Sequence, residues 1–193
     1  MGYGRVIIEE SPKNIGIIDA ISNLIKDRIV FIDGIIDEDM ANGVIAQMLY
    51  LNSQSTTKPI HVYINSYGGE VHAGLGIYDV ANIIQAPIRT VCIGKACSMG
   101  AFLMLMGSER CATENSRIML HQPSGGCIGT VKSMEIDFEE AKKSKEILYG
   151  IVKSKTNITD PEEEFRNDKW YSAEEALEVG ILTSVMTKAD GKF

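Results

Sequence analysis

The chain has 193 residues, 45% of them hydrophobic and 23% charged, the composition of one globular domain, which excludes a disordered or fibrous protein. Nineteen Lys and Arg against 26 Asp and Glu leave a net charge of −7 that repels a phosphate backbone, so nucleic acid is not an expected partner. The longest uncharged run, Ala96 to Ser108, is too short to span a membrane and reads as a buried helix.

At the amino terminus Glu9 and Glu10 precede any apolar stretch of signal-peptide length, and Val6 breaks the myristoylation pattern, so a cytoplasmic setting is expected. Ile15 to Ile25 has helix-like apolar spacing, and Arg28 to Asp33 reads as a β-branched strand closed by Gly34. Asp37 then caps a helix whose apolar stripe is Met40, Val44, Ile45, Met48 and Leu49. His61 to Asn65 is a second strand, followed by the turn Ser66-Tyr67-Gly68-Gly69 and a helix with Val71, Leu75, Tyr78 and Ile83, which Pro87 ends. A third strand, Arg89 to Gly94, leads through Cys97-Ser98-Met99-Gly100 into an apolar helix, Ala101 to Met106, and Arg117 to Leu120 is a fourth strand. Strand and helix alternate over short links, which predicts parallel pairing in an α/β core with helices outside.

Beyond Thr130 the pattern changes. Thr130 to Ser154 reads as one long amphipathic helix with Val131, Met134, Phe138, Ala141, Leu148 and Ile151 on one side, a stripe that suits an oligomer contact. Asn157 to Asn167 is polar and reads as loop with a short turn. Ser172-Ala173-Glu174-Glu175 is a capping box opening a short helix that Gly180 ends, and Ile181 to Val185 reads as the closing strand. The four cysteines, Cys92, Cys97, Cys111 and Cys127, form no C-x-x-C pair and lie in or beside apolar segments, so they read as small buried hydrophobes, with no metal or disulfide expected.

Three features can carry chemistry. Ser98 lies where a strand turns into a helix, near unpaired backbone N–H groups that can stabilise an oxyanion, although an ordinary serine N-cap is the plainer reading. Its surroundings fall short of a G-x-S-x-G elbow because position 96 is Ala. Gly68-Gly69 occupies the equivalent place after the second strand, and His121 directly follows the fourth, at the strand ends where active sites collect. His121 is thus placed to take a proton from Ser98, with His61 and His72 as weaker competitors. Among 26 acidic residues, pattern alone selects no orienting carboxylate.

Taken in order, Ile32 to Gly43, Tyr63-Ile64-Asn65-Ser66-Tyr67-Gly68-Gly69, Ala73-Gly74 with Ile77-Tyr78-Asp79, Ala96 to Leu103 and Asn115 to Pro123 resemble the ClpP serine peptidases, over about Val6 to Val185. The resemblance implies a ClpP/crotonase-like α/β fold of repeated strand-strand-helix units with a protruding handle helix. It divides one peptidase domain, 1–193, into a head (about 24–122 and 160–187), a handle (about 128–156) and an axial amino-terminal segment (about 1–20). It implies Ser98 as nucleophile, His121 as base and, through Asp168-Lys169-Trp170-Tyr171-Ser172-Ala173, Asp168 as the residue that orients His121. Oxyanion donors would be the amides of Gly69 and Met99. Substrate would bind as an added strand between Gly68, Gly69, Glu70 and Val71 on one side and Ser124, Gly125 and Gly126 on the other.

Implied partners are copies of this chain in heptameric rings stacked as a tetradecamer, or a paralogous ClpP, together with an AAA+ unfoldase of the ClpX, ClpA or ClpC type and unfolded polypeptide substrates. No cofactor is implied in this chain, ATP being used by the unfoldase. Three positions depart from the family pattern. His61 stands where an aromatic of the unfoldase-docking pocket is common, Asn167 where an arginine often pairs between rings, and a charged hairpin is shortened to Gly107-Ser108-Glu109-Arg110. Two other readings share the fold: an accessory ring subunit working with a paralogue, and a crotonase acting on acyl-CoA, which would not need Ser98, His121 and Asp168 together.

Overall fold

A computed structural model describes residues 6–11 and 14–187; of the expected axial segment, residues 1–5, 12 and 13 lie outside the described residues. Strands β1 (Val6–Ser11) and β2 (Asn14–Asp19) pair antiparallel, with Ser11 opposite Asn14. The helix expected from Ile15 is therefore a strand as far as Asp19, and only α1 (Ala20–Leu24) and a 3-10 turn (Ile25–Asp27) are helical. Ile15, Ile17 and Ile18 are β-branched, and pairing with a strand from the preceding segment overrides their local 3.6-residue spacing.

The main sheet has the order β3 (Ile29–Ile36), β4 (Ile60–Gly69), β5 (Ile88–Cys97), β6 (Glu109–Thr113) and β9 (Ser184–Met186), every pair parallel. Two short strands share one edge of β5. β6 takes Arg89 to Cys92, whereas β7 (Arg117–Leu120) takes Lys95 to Cys97. β8 (Lys169–Tyr171) then pairs antiparallel with β7. The expected shortened hairpin at Gly107 to Arg110 is instead the entry to β6, whose buried Cys111 and Ala112 sit between charged and polar residues that hide a strand from pattern reading. Gly34 does not close its strand either: at φ 86° it forms an irregularity after which Ile35 and Ile36 pair with Gly68 and Gly69.

Helix α2 (Glu38–Gln54) starts at Asp37, whose side chain accepts from the Met40 amide at 2.9 Å. Ala41, Val44, Met48 and Leu51 are its buried residues, while Leu49, expected on that stripe, is exposed. α3 (Val71–Ile83) and the wholly buried α4 (Met99–Met104) pack with it around Ile32, Ile64, Ile77, Leu103 and Ile118. α5 (Val131–Lys155) begins at Thr130, whose hydroxyl accepts from the Ser133 amide, and buries Ser144, Leu148, Tyr149 and Val152; its first three turns, with Val131, Ile136 and Phe138, project from the head. α6 (Pro161–Glu164), a single turn, is the short turn expected within the polar loop, and α7 (Ala173–Glu178) carries the expected capping box.

Arg110 ties these parts together. Its guanidinium donates to the carbonyls of Gly107, Lys155, Gly180 and Ile181 at 2.8–3.3 Å, joining the β6 entry, the end of α5 and the turn before β9. A lysine ammonium cannot fork across four acceptors. Arg110→Lys is therefore expected to destabilise the protein by about 2 kcal/mol, read as a lower urea midpoint with an unchanged slope.

Candidate active site

Parallel strands deliver the site. β4, β5 and β7 all run in one direction, so Gly68-Gly69, Ser98 and His121 come together at their carboxyl ends. Ser98 Oγ and His121 Nε2 are 2.8 Å apart. Ser98 does occupy the N-cap position of α4, but its side chain makes no capping hydrogen bond, so the plain N-cap reading does not hold. Its backbone is at φ 51°, ψ −126°, a conformation costly for a residue with a side chain. The Ser98 amide donates to the Met119 carbonyl at 2.8 Å, which fixes the turn against β7.

Gly68 makes room for that turn. A Cβ on Gly68 would lie 2.7 Å from both the Cys97 carbonyl oxygen and Ser98 Cβ, and 2.9 Å from the Met99 nitrogen. Ser66 holds the loop from below, donating to the Gly34 carbonyl at 2.6 Å and accepting from the Gly68 amide at 2.9 Å. The amides flanking Gly69 are thus engaged, Gly68 with Ser66 and Glu70 with the Ile36 carbonyl, while Met99 at the first position of α4 has no intrahelical acceptor. Ala96 is fully buried between β4 and β7, and the close approach usual for an elbow glycine falls instead on Gly100, whose added Cβ would lie 3.3 Å from Ser66 Cβ.

Neither of the other histidines borders the serine cleft, although His72 lines the larger cavity beside it. His61 sits at the opposite, amino-terminal end of β4, its pKa lowered by burial and then by the Arg89 charge, and His72 lies in the first turn of α3. Cys97, next to the serine, is fully buried and its thiol is pushed up by burial, which keeps it protonated and a poor nucleophile. Cys92 and Cys111 are buried as expected, but Cys127 is exposed, because the loop that carries it lacks regular structure and lies outside the core.

Asp168 is exposed and makes no hydrogen bond to His121. The β7–β8 ladder ends at the Leu120–Lys169 pair, and His121 and Asp168 are the residues that directly adjoin that pair in sequence. Val71 borders the small cleft at Ser98 and His121, and together with Ser124, Gly125 and Gly126 it lines a larger adjoining cavity. Glu70 is exposed at the start of α3. Sequence reasoning missed Asp137, Ala141 and Ser144, which line the same cavity; their i, i+4, i+7 spacing on α5 was the available signal.

The model of the Clp protease family matches residues 12–189. The chain belongs to the Clp protease family. It is 40% identical over 188 residues, 95% of this chain and 81% of the relative, to "ATP-dependent Clp protease proteolytic subunit 1" of Salinibacter ruber. The α/β architecture with its mostly parallel sheet agrees with this membership. Among the described residues no helix is long and apolar enough to cross a membrane.

Strain at Ser98 can be measured apart from activity. Glycine tolerates φ 51° at little cost, so Ser98→Gly is expected to be about 1 kcal/mol more stable than Ser98→Ala, seen as a higher melting temperature. Equal melting temperatures would mean that the turn is relaxed.

Proposed function

We propose that this Clp family member is the serine-type proteolytic subunit of a chambered, ATP-dependent protease and hydrolyses peptide bonds of unfolded polypeptides. The observation that carries the reading is the 2.8 Å contact between Ser98 Oγ and His121 Nε2 at a turn held open by Gly68. His121 takes the proton as Ser98 attacks the scissile carbonyl, and later returns it to the leaving amine. The developing oxyanion is received by the Gly69 and Met99 amides, backbone donors fixed in place by the fold. Asp168 orients and stabilises the imidazolium, a role the family resemblance implies and the neighbouring Leu120–Lys169 pair supports.

Its setting follows the family. Copies of this chain, or of a paralogue, assemble as stacked seven-membered rings in the cytoplasm, and an AAA+ unfoldase of the ClpX, ClpA or ClpC type supplies threaded substrate while consuming the ATP. Exposed Ile128, Val131, Ile136 and Phe138 at the start of α5 support assembly, since such a face gains from being covered. Nothing in the site favours an accessory subunit over a competent one.

A fluorophosphonate probe is expected to label Ser98, and Ser98→Ala to lose both labelling and peptide hydrolysis while keeping the fold. Retained hydrolysis in Ser98→Ala would overturn the reading. Asp168→Asn is expected to lower turnover by about 10⁴, through loss of the productive imidazole tautomer. Turnover near normal would assign the orienting role to another group.

A further inference from the structure

The cavity beside Ser98 and His121 has a charge pattern that the hydrolytic steps do not use. It measures about 470 Å³, and Val71 and Pro123 border both it and the cleft at the serine, so the two adjoin. One wall is a single face of α5. Leu148 stands at the cleft, and Ser144, Ala141 and Asp137 follow outward along the same row. From Ser144 to Asp137 the helix rises about 10 Å.

The row is built of small side chains ending on a carboxylate. Ser144 is only 6% exposed, lines the cavity, and among the described residues its hydroxyl has no hydrogen-bond partner. The neighbouring carboxylates of α5 are neutralised on the helix itself, Glu139 by Lys142 at 2.9 Å and Glu140 by Lys143 at 3.1 Å. Asp137 has no ion pair among the described residues. Phe138 lies at the same end of the cavity and adds an apolar wall.

We propose that Asp137 is a specificity-determining residue and that this cavity takes a lysine or arginine side chain of the substrate, from a residue adjoining the scissile bond. The aliphatic stem runs past Ser144 and along Ala141 and Val71, and the cationic end reaches Asp137. A long side chain with an apolar stem and a charged tip is what such a path fits. The proposal rests on the peptidase reading, since it names the substrate for that site.

Two measurements separate the proposal from the reading beneath it. In the first, peptides identical except for Lys, Leu or Glu at the residues flanking the scissile bond are compared by kcat/KM. The Lys over Leu ratio is expected to fall about tenfold in Asp137→Asn, the loss of one charge-assisted contact, and Asp137→Lys to shift preference towards Glu. Cleavage without a preference for Lys, or a preference unchanged in Asp137→Asn, overturns the proposal.

The second needs no turnover. Cys127 lines the cavity and is exposed, whereas Cys92, Cys97 and Cys111 are buried, so a maleimide reports on cavity occupancy. In Ser98→Ala the Lys peptide is expected to slow alkylation of Cys127 more than the Leu peptide does, and Asp137→Asn to remove the difference. If the wild-type chain cleaves no peptide but this protection is seen, the peptidase reading fails and the cavity assignment stands. Equal protection by both peptides sinks the assignment whatever the activity.

Discussion

Ser98 is held at φ 51° because its neighbours leave it no other place. Its amide is bound to the Met119 carbonyl, its Cα approaches a glycine with no Cβ to obstruct it, and the next residue begins a helix buried on every side. Release any of the three and the hydroxyl leaves His121. A backbone strain of about 1–3 kcal/mol persists because those surroundings over-determine it. The same turn that sets the hydroxyl against His121 also starts α4 at Met99, so the Ser98 side chain and the first amide of that helix are placed by one distortion of the chain.

The strand ends need equal discipline. At this end Ser66 uses one hydroxyl to bind a carbonyl of β3 and an amide of its own strand, so the Gly68-Gly69 turn cannot slide. At the other end of the sheet Arg28 collects the carbonyls of Leu51, Ser55, Lys58 and Pro59, fixing the end of α2 against the start of β4. Together with Arg110 these side chains satisfy carbonyls at element ends that would otherwise be left without partners. They set the register from which the 2.8 Å contact between Ser98 and His121 follows.

Much of this was legible in the sequence, for physical reasons that differ by element. The α2 cap at Asp37, the Ser172 capping box and β7 are local features, decided by residues three or four apart, and they stand where the pattern puts them. β6 and β8 are decided by partners farther along the chain, β6 pairing with β5 and β9 and β8 owing its existence to β7, while β2 depends on its hairpin partner β1. Three residues such as Lys169-Trp170-Tyr171, with Trp170 largely exposed, carry no periodicity of their own. That is why composition and spacing could select Ser98 and His121, yet only the resemblance pointed to Asp168. The Ser98 conformation was not legible at all, since serine is a good N-cap and nothing local announces a positive φ.

Helix α5 then links the site to its surroundings. Its second half is rooted in the head through Ser144, Leu148, Tyr149 and Val152, while its first half bears Asp137 on one face and exposed Val131 and Phe138 besides. The cavity wall is therefore stiff beside Ser98 and unsupported towards Asp137. The loop of Ser124 to Gly126 enters that same unsupported half, so anything that buries the apolar tip of α5 also fixes the far wall of the cavity and the segment expected to pair with substrate. Burial there, at about 25 cal/mol for each Å² of apolar surface covered, has ample strength to order a loop of this length. The two halves of the helix thus differ in support: the root is packed in the head beside the serine cleft, and the tip carries the cavity wall on an exposed stretch of helix.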